Sequence, residues 1–536
     1  MPAPTVPTID VTDALPTERT LTAADIPDFA AELAAYHAIF APLFRRSEQR
    51  VWADAYLRGL LTADVPRKNI EAIALRLFGA GDGAGRTVRA LQQFVGAGGW
   101  DDAAILAAHQ RLVDETLGEE DGVLIIVGSD FPKQGRHSAG VARQWCGQSG
   151  KTDNCQAGVF LGYASRQGYT LLDRRLYLPA RWFTDAYRQR WQACRIPEGT
   201  PFRTKHDLTA ELVEDIRKGQ RLRARWVVGD EGFGDAPALL DRLAATGLWY
   251  LVEVLQNTQV WPLVEPDGHT VRPRPYSWVP PQTPTRKGPA PRRARLHPAS
   301  PTKVRVEAYA AQIPAACWQR CRVLEGSKGP LMADFAAIRA VTVRDDLPGP
   351  EVWVLFRRKV SAAAEEPELK VYLSCAPAQT PLTVLVRVSG MRWPIEACFA
   401  EGKGELGLDH YELRFWRGWH HHMTMVILAH HFLVRLQRRL NQREGGPQAA
   451  SAALAGGCDH ARGTVADRRP VCTDSPPARA QWAEPRRGPH APHDGSPPTD
   501  LRPAGGVGPA GLPAHPQSRR LSVAPQTHTH PAEPAA

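Results

Sequence analysis

Apolar positions near the start of the chain recur at helical spacing. Phe29, Leu33, Tyr36 and Phe40 fall at i, i+4, i+7 and i+11, one face of a helix. Val88, Leu91 and Val95 repeat the pattern, and Ile105 and Leu112 mark a further helix. Glycine-rich breaks at Gly79–Gly85 and Gly96–Gly99 separate these segments. The spacing predicts a helical region from about 24 to 118. Its cations Arg45, Arg46, Arg67, Lys68, Arg86 and Arg89 are candidates for a DNA-facing surface or for an ordinary solvated face.

From 123 the period changes. Val123–Val127 reads as a buried strand, and Gln156–Ser165 and Tyr169–Leu178 as two more. Helices are expected near 180–194 and 207–219. Arg225–Asp230 is a strand ending in a carboxylate, followed by a helix at Pro237–Ala245 and a strand at Trp249–Val254. Strands resume at Val304–Tyr309, Val352–Val360 and Leu369–Leu373. Glu396–Leu408 and Trp419–Leu440 read as helices. This order predicts an α/β fold around a mixed sheet.

Length and composition narrow the picture. At 536 residues the chain is too long for one ordinary domain. No run approaches the roughly 18 apolar residues of a membrane helix, and Met1-Pro2-Ala3-Pro4-Thr5 lacks a basic-then-apolar signal pattern. A soluble cytoplasmic protein without a membrane partner is the expectation. Nine Cys scattered over this length do not make a disulfide framework. The net charge of +10 suits a polyanion partner. Arginine dominates the cations, 55 against 11 Lys, which suits phosphate but also follows from a GC-rich gene.

Two stretches break the folded pattern. Residues 266–303 are Pro-rich, with eight Arg or Lys and no acid between Arg272 and Lys303. Residues 441–536 hold 16 Pro and no Ile, Phe, Tyr, Met or Lys, too little to bury a core. The first reads as an exposed loop or linker; a shifted reading frame, or a disordered basic tail, accounts for the second.

Three segments could carry chemistry. Gly128–Gly135 follows the first strand and contains Asp130, with Lys133, Arg136, His137, Arg143 and Lys151 nearby. A carboxylate at a strand end sits where ligands bind α/β sheets. Asp230 ends a second apolar strand in Gly229-Asp230-Glu231-Gly232-Phe233-Gly234, whose glycines would let the backbone approach a ligand. Arg392 to Lys403 reads as a helix start; Glu396 and Lys403, seven apart, share a face, with Glu401 roughly opposite. His420-His421-His422, with His430 and His431, reads as surface or core packing, since adjacent helix residues point apart.

Taken together and in this order, these segments resemble a DDE-type insertion-sequence transposase with a Tyr-Arg-Glu-Lys third motif. The resemblance rests on Phe131–Gly135, Gly140–Gly147, Gly150-Lys151, Asn154–Val159 and Leu172–Pro179, and on Arg392, Glu396 and Lys403 at the spacing of the third motif. It implies a ribonuclease-H-like catalytic core and binding of double-stranded DNA, both the terminal inverted repeats and the target, by a homodimer at the nucleoid. It implies Mg²⁺ or Mn²⁺ as cofactor, with Asp130, Asp230 and Glu396 as catalytic and metal-holding residues. Lys133, Arg143, Arg392 and Lys403 would contact DNA. The sequence departs from the family at two positions: Ser389 replaces the motif's Tyr, and Val127 occupies the place of the first Asp, with Asp130 three residues further on. A decayed transposase that only binds DNA is therefore the alternative.

The expected organisation is a disordered leader at 1–20, a helical DNA-binding domain at 21–120 and the first part of the core at 121–260. A basic loop and strand-rich insertion at 261–385, the helical end of the core at 386–440 and the tail at 441–536 complete it.

Overall fold

The structure, a computed structural model, describes residues 9–10, 29–264, 296–326, 329–360 and 368–444. Nearly all of the leader, most of the basic loop, and the tail beyond Glu444 lie outside the described residues. Everything described falls in one compact unit, Met1–Gly457.

The short strand β1 (Ile9–Asp10) precedes five helices: α1 (Phe29–Phe40), α2 (Ser47–Leu61), α3 (Ile70–Phe78), α4 (Ala84–Ala97) and α5 (Asp102–Leu117). Side-chain caps fix two of their starts. Asn69 accepts from the Ala72 N–H at 2.8 Å, and Asp101 from those of Ala103 and Ala104. Then come β2 (Val123–Pro132), β3 (Ala142–Cys146), β4 (Lys151–Ser165) and β5 (Gly168–Leu176), followed by α6 (Arg188–Ala193) and α7 (Lys205–Gly219). The sheet resumes with β6 (Trp226–Gly229), and after α8 (Glu231–Gly234) and α9 (Pro237–Ala245) with β7 (Trp249–Val254) and β8 (Gln259–Pro262). The insertion supplies β9 (Val304–Arg305), α10 (Val306–Ala310), β10 (Gln319–Gly326), β11 (Gly329–Arg344), β12 (Leu347–Lys359) and β13 (Leu369–Ser374). Helices α11 (Leu382–Gly390), α12 (Pro394–Gly404) and α13 (Trp416–Glu444) follow.

At the centre of the sheet the order is β5–β4–β2–β6–β7. β2 runs antiparallel to β4 and parallel to β6, and β6 is parallel to β7. This is a ribonuclease-H-like core. The antiparallel strands β13, β12, β11 and β10 extend it beyond β7.

Strand alternation divides the core by face. Leu124, Ile126, Val227, Tyr250 and Val252 pack with Leu208, Leu212 and Ile216 of α7 and with Leu239 and Leu243 of α9. Val123, Ile125, Trp226, Val228 and Leu251 pack on the other face with Leu385 and Val388 of α11 and with Ile395 and Cys398 of α12.

The N-terminal helices share their core with α13. Leu33, Tyr36, Tyr56, Leu91, Val95 and Trp100 cluster with Met423, Val426, Phe432 and Leu436, and also with Phe131 and Phe160 of the sheet. The α13 histidines are all buried. His431 bonds Tyr36 and Thr116, and His422 bonds Tyr56 and the Leu408 carbonyl. His421 faces the carbonyls of Val95 and Trp100 and stacks on the Trp100 ring at 3.6 Å. His430 contacts Thr170 and the Glu401 carboxylate. These histidines therefore bolt α13 to the helical region and to the sheet.

Several elements differ from the sequence reading. β2 continues to Pro132 because the long β4 keeps pairing with it, up to Pro132 opposite Cys155. Val304–Tyr309 is not one strand: only two residues pair with β8, and Val306, Tyr309 and Ala310, at helical spacing, bury as α10. Lys68 faces no DNA; it is buried, and its ammonium donates to the Leu60 and Thr62 carbonyls near the end of α2.

Candidate active site

Asp230 stands where β6 ends. Its carboxylate accepts from the Gly232 N–H at 3.1 Å and caps the one-turn helix α8. The glycines here serve packing: a Cβ on Gly234 would lie 2.0 Å from the Glu253 carbonyl oxygen, so α8 seats against β7 only with glycine there. Burial pushes the Asp230 carboxyl up, against the pull of Arg392; Glu253 and Glu231 push the same way as burial. Asp230, Glu253, Lys370 and Arg392 line a cavity of about 600 Å³.

Glu253 is absent from the sequence reading. Gly229 pairs with Val252, so the next residues, Asp230 and Glu253, stand side by side. Glu253 is 9% exposed and ion-paired with Lys370 at 2.9 Å. Its place near the end of the strand beside Asp230 was the signal available.

Glu396, in the first turn of α12, is exposed and accepts from the Arg392 guanidinium at 2.9 Å. Arg392 thus adjoins both Asp230 and Glu396. Lys403, two turns on, is half-buried with its ammonium 5.8 Å from the Phe131 ring and 6.0 Å from that of Phe399. Glu401 lies on another side, held by His430 and Tyr169. Burial opposes its ionisation, but those partners keep its carboxyl below the ordinary range.

Along β2, Ile125 pairs with Val228 in parallel register. Continued two residues, that register directs Val127 toward the level of Asp230, which lies just beyond the end of β6. Val127 also lies opposite Phe160 of β4, whose ring meets Phe399 edge-on at 5.2 Å. The surroundings of Val127 are therefore apolar.

Asp130 does not join Asp230 and Glu396. It lies an odd number of residues beyond Val127 on an unbroken strand, so it projects from the other face. There it accepts from the Gly147 N–H at 2.8 Å and sits 3.9 Å from the ammonium of Lys205, which opens α7.

Of the expected DNA contacts, Arg143 is exposed on β3 opposite Asn154. Lys133 is turned inward: its ammonium donates to the Tyr411 carbonyl at 3.1 Å and lies 3.4 Å from that ring's centre. Burial pushes its pKa down to about 8.

Among the described residues, no group of three or more His, Cys, Asp and Glu is placed to hold a metal ion. Asp230 and Glu396 flank one guanidinium, and Val127 offers no oxygen. Hard divalent cations need converging oxygen ligands, so this donor set does not fit a metal pair.

The fold agrees with the comparison to known families. The model of the DDE superfamily endonuclease family matches residues 39–330, more than half of the chain, and the chain belongs to that family. The matched span includes Val127, Asp130 and Asp230 and stops before α12. No curated protein matches the chain. Nucleases of this superfamily generally use divalent metal ions and act on DNA. No helix among the described residues is long and apolar enough to cross a membrane.

Proposed function

We propose that this chain is an insertion-sequence transposase by descent that binds the element's DNA ends as a dimer and cuts them poorly or not at all. In the intact reaction, metal ions activate the attacking oxygen and stabilise the leaving one. The observation that carries the reading is the register of β2 and β6, Ile125 beside Val228, which directs Val127, in an apolar setting, toward the level of Asp230 just beyond the end of β6. With the first carboxylate missing, Asp230 and Glu396 are the remnant of the acidic centre. Arg392 and Lys403 are the cations on the same helix segment that would neutralise DNA phosphates. The exposed arginines Arg45, Arg46, Arg86 and Arg89 of the helical region add a sequence-independent hold on the backbone.

Gel shift without divalent metal, then a nicking assay with Mn²⁺, tests this. Binding with little nicking is expected. Efficient nicking by the unmodified chain, lost in Asp130→Ala, would overturn it.

A further inference from the structure

The β3–β4 hairpin carries a feature that the acidic centre does not use. Trp145 is 62% exposed, the most exposed large apolar side chain among the described residues. It joins none of the described core clusters and makes no ring contact there. Single exposed apolar residues are ordinary. What sets this one apart is its frame.

First, the hairpin is held in place. The Asp130 carboxylate grips the Gly147 N–H, and the Gln144 amide donates to the Cys155 carbonyl at 3.0 Å. Gly150 closes the turn at φ +64°, a conformation suited to glycine. Second, the surroundings are cationic. From Phe131 to Lys151 the chain has no acid, and Arg136, Arg143 and Lys151 are exposed, Lys133 being turned inward onto Tyr411. Arg143 lies two residues from Trp145 and so shares its face of the hairpin; both are exposed. The nearest acid along the ladder, Asp153, pairs with Gln144 and belongs to the opposite face. Third, the hairpin stands beyond the C-terminal end of β2, the end at which parallel β6 delivers Asp230.

An indole with a free face beside a guanidinium matches a nucleic-acid strand: a cation for a phosphate, a flat ring for a base. A base inside a duplex has both faces covered by its neighbours. We infer that Trp145 is a stacking platform for an unpaired base of a DNA strand held by Arg143. Asp130, on this account, is a positioning residue for the hairpin. The inference rests on the DNA-binding reading above.

The test uses full-length protein, its Trp145→Ala and Trp145→Phe variants, and two labelled probes: a blunt duplex, and the same duplex with an unpaired 3′ tail. Trp145→Ala should weaken binding to the tailed probe about tenfold and leave blunt binding and Tm unchanged. Trp145→Phe should restore most of the tailed affinity. Unchanged tailed affinity in Trp145→Ala, or an equal fall on both probes, overturns the platform while DNA binding stands. A lower Tm in Trp145→Ala would show that the indole packs, which also overturns it. Failure of the unmodified protein to bind either probe sinks the DNA-binding reading itself, and the platform with it.

Discussion

β2 and β6 run side by side in the same direction, and each leads into glycine and an acid, yet only one brings a carboxylate to the candidate site. β6 stops at Gly229, so Asp230 leaves the ladder, caps α8 and reaches the cavity shared with Arg392. β2 does not stop. Its pairing with β4 carries it through Asp130 to Pro132, and alternation sends Asp130 to the face of α7. The same residue type at what looks like the same place thus does two jobs. What decides is whether the neighbouring strand goes on pairing.

The largest effect expected from breaking this contrast is catalytic. Val127→Asp places a carboxylate beside Asp230 and should raise Mn²⁺-dependent nicking by at least about tenfold, since ligand oxygens are what the metal pair lacks. Asp230→Ala in that background should return nicking to baseline, whereas Asp130→Ala should leave it within about threefold, as expected of a residue that acts only through the hairpin. Nicking measured on supercoiled plasmid checks all three; loss of the Val127→Asp gain in Asp130→Ala would put Asp130 in the centre.

Acid should unfold the protein through α13. Burial holds His420 and His422 down to about 3, and His421 and His109 to about 4. An unfolded chain would protonate them near 6.5, so the unfolded state binds more protons below that pH. Their contribution is complete above about pH 6.5 and is lost as pH falls toward 4. Denaturant midpoints measured between pH 7.5 and 4.5 should fall steeply; a flat profile would refute the neutral, buried assignment.

A smaller effect belongs to the hairpin. Asp130→Ala leaves the Gly147 N–H without its charged acceptor and should cost about 1–2 kcal/mol, read by chemical denaturation, with exchange of the Gly147 amide speeding up. Smallest is the effect at the other strand end. Because burial raises the Asp230 carboxyl, ionisation there works against folding at neutral pH. Asp230→Asn should slightly raise Tm at pH 7, and the gain should vanish as pH falls and the wild-type carboxyl protonates. A gain that persists at low pH would assign the difference to something other than charge.

Much of this was legible in advance. Pro237–Ala245 and Trp249–Val254 form as their apolar spacing predicts, and the carboxylate at Asp230 follows from a strand that ends there. β11 was hidden by Ala333, Ala336, Ala337 and Ala340, small residues of helical preference that a sheet interior accepts once both neighbours pair. α11 was hidden by its β-branched Thr383, Val384, Val386 and Val388, which burial under the sheet overrides.

Sequence alone determined which residue types lie at each strand end, the apolar faces of the helices and the absence of an acid at position 127, because these depend on identity and local period. Only the tertiary structure decided that Asp130 turns away from Asp230, that Glu253 stands beside it, that Lys68 and Lys133 point inward, and that five histidines of one helix are core. Those outcomes depend on partners distant in sequence: β4 extending β2, β7 adjoining β6, Tyr411 meeting Lys133, and helices α1 to α5 closing over α13. A side chain's face and solvent exposure are properties of the ladder and packing around it, and no local pattern contains them.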